Sequence, residues 1–452
     1  MVFAGPAMTT MPDMHRPPPA IDAEKLKLLT EMQRNSFEYF IHETNPANGL
    51  IRDKTEPGWP ASIAAVGMAL TVYTIGVERG CMSRGEAVLR TLTTLRFFAN
   101  SEQGTAPDAT GYKGFYYHFL DMESGARAWR CELSSIDTAL LIAGMLTAAA
   151  YFSEDSPGER EIRELAHMLY RRVDWQWMRG RNGLLCHGWK PEQGFLRWHW
   201  EGYDEALILY ILALGSPTHP IGRDSYDAWA STYEWKTVYG IDYLYAGPLF
   251  IHQMSHLWLD LRGIRDDFMR AHDLDYFENS RRAAYVQQRY AIENPLGFPE
   301  YGELCWGFTA SDGPGPASRK IGGVQRRFYD YVARSAPYGP DDGTLAPWAV
   351  AASLPFAPEI VLPSIAHFQG LNLCEANPYG FKASFSTIFH LCEAGCRRWV
   401  SPYHFGINEG PTVVMVENYL NDFPWSLLRQ NTYLRDGLRK AGFTGGWVAG
   451  LL

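Results

Sequence analysis

Apolar side chains recur every three or four positions along most of the chain, and that period predicts helix after helix. Asp22 stands where it can cap a helix whose apolar stripe is Leu29, Met32, Phe37 and Phe40. A second helix is predicted over 62–77, stopped by Gly80. Ser83 with Glu86 reads as a capping box ahead of Val88, Leu89, Leu92 and Leu95. Ser156-Pro157 with Glu159 opens the helix carrying Ile162, Leu165 and Leu169. Further helical patterns cover 133–152, 204–214, 248–262, 275–292, 347–353, 383–396 and 410–420. The βαβ rhythm of a parallel sheet is missing, although 114–120 reads as a hairpin arm. These elements predict an all-α fold, an (α/α)6 toroid with long loops and a few short strands at one end. No composition break divides the chain, so 22–452 is expected to be one domain behind a disordered leader, 1–21.

The loops at 186–203, 294–320 and 401–411 concentrate Gly, Pro, Trp and acids, and long loops in a compact domain commonly carry function. Lys and Arg number 41 against 50 Asp and Glu, a net charge of -9, which argues against a nucleic-acid surface. Fifteen Trp, 25 Tyr and 23 Phe exclude extended disorder and supply rings of the kind that stack on sugars. Seven cysteines, an odd number with no CxxC pair, indicate neither a zinc ribbon nor a disulfide framework. Cys392 and Cys396, four apart on the predicted 383–396 helix, are expected to be small buried hydrophobes. The longest apolar run, 133–152, contains Ser134, Ser135 and Asp137 and reads as a core helix, so no membrane association is expected. The leader lacks an apolar signal core, so a cytoplasmic location is expected, or a periplasmic one if a signal has been removed.

Five constellations can carry chemistry. Trp129-Arg130-Cys131-Glu132 leads to Asp137 at the head of the 133–152 helix; acids there serve as caps, but a carboxylate on an apolar face needs a partner. Trp198-His199-Trp200-Glu201-Gly202-Tyr203-Asp204-Glu205 runs into a helix apolar nearly all round, where Glu205 would keep its proton as a general acid must. Trp198, Trp200 and Tyr203 offer stacking surface beside it. His252-Gln253-Met254-Ser255-His256 resembles a zinc-protease spacing without its Glu, so hydrogen-bonded histidines are the expected reading and no metal is assigned. Glu300, Glu303, Trp306 and Asp312 crowd one turn-rich loop that could close over a polar ligand. Asn408-Glu409-Gly410-Pro411 is either a helix start with an early Pro or part of a site. No phosphate loop, dinucleotide fingerprint or serine elbow is present.

The runs Glu132-Leu133-Ser134-Ser135-Ile136-Asp137, Leu212-Ala213-Leu214-Gly215-Ser216-Pro217, Pro248-Leu249-Phe250-Ile251-His252-Gln253, Trp306-Gly307-Phe308-Thr309-Ala310-Ser311-Asp312-Gly313 and Gly406-Ile407-Asn408-Glu409-Gly410-Pro411 resemble, in order, the bacterial glucoamylase-like domain. That family includes endo-β-1,2-glucanases and sophorose-releasing enzymes, and is similar to the transglycosylating domain of cyclic β-1,2-glucan synthases. The resemblance implies an (α/α)6 toroid that cleaves β-1,2-glucosidic bonds by carboxylate acid/base catalysis with inversion and without a cofactor. It implies Glu205 as the acid catalyst, with Glu132, Asp137, Glu300 and Asp312 as cleft acids. Trp129, Arg130, Trp198, Trp200, Tyr203, His252, Gln253, Trp306, Asp312 and Asn408 are the expected contacts to an oligo- or polysaccharide. The alternatives are a retaining transglycosylase on the same bonds, a carbohydrate-binding toroid without catalysis, and a lyase or epimerase using His199, His252 or His256 as base.

Overall fold

A computed structural model of the chain describes residues 21–374, 376–390 and 398–451. The expected leader therefore lies almost wholly outside the described residues, as do Cys392 and Cys396. The α-helices are α1 (Ala23–His42), α2 (Ile63–Glu78), α3 (Arg84–Asn100), α4 (Ser135–Tyr151), α5 (Pro157–Arg172), α6 (Leu207–Gly215) and α7 (Arg223–Ala230). They continue as α8 (Asp267–Ala271), α9 (Tyr276–Glu293), α10 (Pro347–Ala351), α11 (Pro358–Gly370), α12 (Gly406–Asn421), α13 (Phe423–Leu428) and α14 (Thr432–Lys440).

The capping residues work as the sequence implies. Asp22, Ser83 and Ser156 each accept a backbone N–H three positions on, and Pro157 occupies the first turn of α5. Helices α2, α4 and α6 are buried along almost their whole length, so the apolar-all-round pattern marks the inside of the molecule. α2 packs on α4, α4 on α6, α10 on α12, and α12 back on α2. α1, α3, α5 and α14 lie outside these, each showing one apolar face. Between α6 and α10 the inner wall is completed by two short 3-10 turns, Leu249–His252 and Met254–Leu257, joined through Gln253. The continuous helix expected over 248–262 is thus not formed.

α2 and α4 approach at a glycine crossing. A Cβ on Gly144 would stand 1.9 Å from the carbonyl oxygen of Gly67. One large apolar cluster runs from Leu29 to Val448 and takes in all the inner helices. The strands are short antiparallel pieces in the connections, two- or three-stranded throughout. Phe385–His390, expected within a helix, is a strand paired with Thr344–Leu345 and Arg398–Val400. Its Phe-Ser-Thr-Ile-Phe run is β-branched and aromatic, and that preference prevails over the apolar content that suggested a helix. No helix among the described residues is long and apolar enough to cross a membrane.

Candidate active site

Acids from four separate segments meet over the N-terminal ends of the inner helices. Glu205 comes from the turn that enters α6. Gly202, in the left-handed region at φ +79, reverses the chain, and Asp204 Oδ1 accepts the Ala206 N–H at 2.9 Å. α6 has no cap of its own; Ser255 supplies one from the neighbouring turn, accepting from Ile208 N at 3.0 Å and donating to the Glu205 carbonyl at 2.9 Å. The Glu205 carboxyl is half-buried, and the protein crowded around it, together with the charge of Asp137, pushes its pKa up. Burial and the charge of Glu205 push Asp204 up as well. This corner of the cleft holds a proton at neutral pH.

Asp137 occupies the first turn of α4, capped by Ser134. His118 lies beside it: its Nδ1 is 3.1 Å from Glu132 Oε1 and its Nε2 is 3.6 Å from Asp137 Oδ2. Burial works against a charged ring, but Asp137, Glu132 and Asp53 outweigh it and raise His118 to about 9. The reverse holds for Glu132, whose desolvation is overcome by His118, leaving it at about 2. Asp53 projects from the loop before α2. Its backbone is tied to Pro60 and Gly406, and Trp59 Nε1 donates to Oδ2 at 3.1 Å. Burial raises Asp53 to about 6.

Two more groups complete the cleft. Asp312 is buried, accepts from Ser401 Oγ at 2.8 Å, and is raised by burial. Tyr331 is 53% exposed, yet the protein around its hydroxyl and the charges of Asp53, Asp312 and Glu205 all suppress its ionisation. A side chain open to solvent but ringed by protein is what lines a cleft. At the rim Trp129 is 56% exposed and packs edge-on against Trp59, centroids 4.6 Å apart. Trp129 and Arg130 both sit at φ +52, a left-handed conformation that is costly for bulky residues. The buried Arg127 holds that turn, donating to the carbonyls of Cys131 at 2.5 Å and Arg130 at 2.8 Å while paired with Glu192 at 2.7 Å.

Several expected contacts are placed elsewhere. Glu300 is exposed and engaged with both terminal nitrogens of Arg398, at 2.7 and 2.8 Å, apart from the acids around Glu205. Trp306 has no exposed surface and donates to Ser364 Oγ. Gln253 is buried and spent on the Ala349 carbonyl and Ser353. His252 is buried against the Ala246 carbonyl and Asn279, and burial pushes it down to about 4. Trp200 offers no stacking face, because His187 covers it at 3.9 Å. Tyr203 is enclosed by Tyr233, Tyr276 and His252. Asn408 is buried in the first turn of α12. Trp198 is 58% exposed beneath Arg197. Apolar rings near an acid in sequence thus proved a poor guide, since most serve the core.

A family model named Glycoamylase and described as "Putative glucoamylase" matches residues 197–432. The chain belongs to this glucoamylase family. A member of the same description from Bacteroides uniformis, known from its crystal structure, superposes with a TM-score of 0.82 at 29% identity, covering 95% of this chain and all of that one. The chain is 28% identical over 450 residues to the exo beta-1,2-glucooligosaccharide sophorohydrolase (non-reducing end) of Parabacteroides distasonis, covering 92% of this chain. It spans 57% of the length of that relative. A beta-1,2-glucanase structure from Parabacteroides distasonis aligns with a TM-score of 0.79 at 28% identity, over 92% of this chain and 60% of that one.

Asp53, His118 and Tyr331 are the members of the site that the sequence motifs do not single out. Each stands in a loop, with no periodicity to mark it. The available signal is chemical: Asp53-Lys54 six residues before Trp59, and Tyr329-Asp330-Tyr331, are polar-aromatic runs like the one at Trp198.

Proposed function

We propose that this glucoamylase-family chain is a glycoside hydrolase acting on β-1,2-linked glucan or its oligosaccharides, on an (α/α)6 toroid whose inner ring is α2, α4, α6, the 249–257 turns, α10 and α12. The observation that carries this reading is the pairing, in one cleft, of the proton-holding Glu205–Asp204 pair with the Glu132 and Asp137 carboxylates that flank His118. Glycosidic cleavage needs both an acid and a base. Glu205 gives its proton to the glycosidic oxygen, directly or through a substrate hydroxyl, as the C1–O bond breaks. A water attacks C1 from the opposite face and loses its proton to a second carboxylate, Asp137 foremost. The Trp59–Trp129 shelf receives a sugar face, and Asp312 and Tyr331 lie within reach of its hydroxyls.

The family's name points to an α-linked substrate, whereas the named Parabacteroides distasonis relatives act on β-1,2 linkages, which supports the β reading here. Incubation with linear β-1,2-glucan, laminarin and soluble starch, followed by sizing of the products, separates the two. Short oligosaccharides from the first alone are expected; release of sugar from starch alone would overturn the assignment.

A further inference from the structure

Both ring nitrogens of His118 face a carboxylate. Nδ1 stands 3.1 Å from Glu132 and Nε2 3.6 Å from Asp137. A neutral imidazole carries one N–H, so either tautomer would turn a lone pair toward a carboxylate oxygen; only the doubly protonated ring offers a donor to each. The ring cannot swing away easily. Its backbone N–H donates to the Glu132 carbonyl at 3.0 Å, its own carbonyl accepts from Ile63, and Phe119 stacks on it at 4.0 Å.

The remaining charges facing this group come from four elements. Asp53 and Lys54 belong to the loop before α2, Glu132 and Asp137 to the start of α4, Lys190 to the Gly188–Lys190 strand, and Glu205 to the α6 turn. Lys54 is turned to Glu56 at 2.6 Å and to the Trp59 ring. His187 faces Trp200. Among the described residues, His118 is the one cationic side chain in ion-pair contact with Glu132 and Asp137.

We propose that His118 is a positioning residue of the cleft, a permanent imidazolium that holds the Glu132 and Asp137 carboxylates as its counter-ions and so leaves the mobile proton to the Glu205–Asp204 pair. This rests on the hydrolase reading above and deepens it, giving the acid and the base their separate protonation states through one shared cation. The cation lowers the proton affinity of Glu132, while the charge of Asp137 raises that of Glu205.

The test has one arm that needs no activity. In full-length protein labelled with 15N-histidine, the resonances missing from His118→Gln identify the ring, and at pH 7.5 it is expected to be protonated on both nitrogens. A neutral tautomer at that pH overturns the proposal, whatever the substrate proves to be. The second arm is the pH profile of β-1,2-glucan hydrolysis. Without the cation, the acid limb of His118→Gln is expected to move up by about one pH unit or more, and His118→Lys to bring it part of the way back. An equal loss at every pH, with the acid limb unmoved, marks a purely structural histidine and sinks the idea. A chain inert on every glucan but with a doubly protonated ring would overturn the hydrolase reading and leave the ring assignment standing.

Discussion

Glu205 and Asp53 are both acids raised by their surroundings, but the two serve different ends. Glu205 is raised by crowding and by Asp137, and its backbone is pinned by Ser255, so replacing its carboxyl alters proton donation more than shape. Glu205→Gln is expected to lower kcat by at least ~100-fold, the size of a lost general acid, with no loss of thermal stability. Retention of most of the wild-type turnover would remove Glu205 from the acid role. Asp53 costs the fold stability. Its ordinary value is 3.8 and burial lifts it to about 6, so between those values the folded chain holds a proton that the unfolded chain has lost. Stability therefore falls as pH rises through this window, and the cost is complete above it. Asp53→Asn is expected to unfold at a higher temperature than wild type at pH 7.5, by about 1–2 kcal/mol after solvent screening, and to show no gain at pH 4. Calorimetry at the two pH values decides this.

At the level of elements, the cleft depends on how closely α2 and α4 lie. The carbonyl of Gly67 occupies the space a Cβ on Gly144 would need, and the same two helices carry Asp137 at one N-terminus and follow the Asp53 loop at the other. Gly144→Ala must drive the helices apart. Overpacking of this kind costs ~1–3 kcal/mol, and the displacement reaches the acids, so a lower Tm and a lower kcat are expected together. An unchanged Tm would show that the crossing has slack. Helices of this kind were legible in the sequence because each has one clear signal: a cap followed by a stripe, as in α1, α3 and α5, or an unbroken apolar run, as in α4 and α6. Helices α7, α8, α11, α13 and α14 were missed: α7, α8 and α13 have only one or two turns, α11 carries Pro363 inside it, and α14 shows a clear apolar face over only nine residues. The 248–262 segment has the composition of a helix, but Gln253 turns aside to bond the Ala349 carbonyl and Ser353, contacts remote in sequence, and the helix breaks there. The same limit applies to the site. Glu132, Asp137, Glu205 and Asp312 were readable as acids beside apolar runs, whereas Asp53, His118 and Tyr331 become a site only when distant loops converge.

For the molecule as a whole, the acids arrive from separate elements around one mouth rather than from a single strand or turn. Neighbouring helices pack with axes ~8–10 Å apart, and acids carried on separate elements favour the wider of the two carboxyl spacings. Carboxyls ~6.5–9.5 Å apart leave room for a water and give inversion, against ~5–5.5 Å for retention. Proton NMR of the first product released from β-1,2-glucan is expected to show the α-anomer. An initial β-anomer would point to retention and to the transglycosylating alternative.

The left-handed turn at Trp129-Arg130 bears on affinity. Because Arg127 clamps the turn and Glu192 clamps Arg127, the tryptophan shelf is already ordered in the free protein, and a sugar that settles on it freezes little further motion. Glu192 belongs to the connection between the Gly188–Lys190 and Gly194–Phe195 strands, outside the acid cluster. Glu192→Ala should release the shelf, adding about 0.5–1.5 kcal/mol of ordering to each binding event. KM for glucan oligosaccharides is expected to rise roughly two- to tenfold at constant kcat, and a fall in kcat alone would contradict this. Part of the entropy of recognition would then be settled at folding, by an exposed glutamate on a hairpin turn.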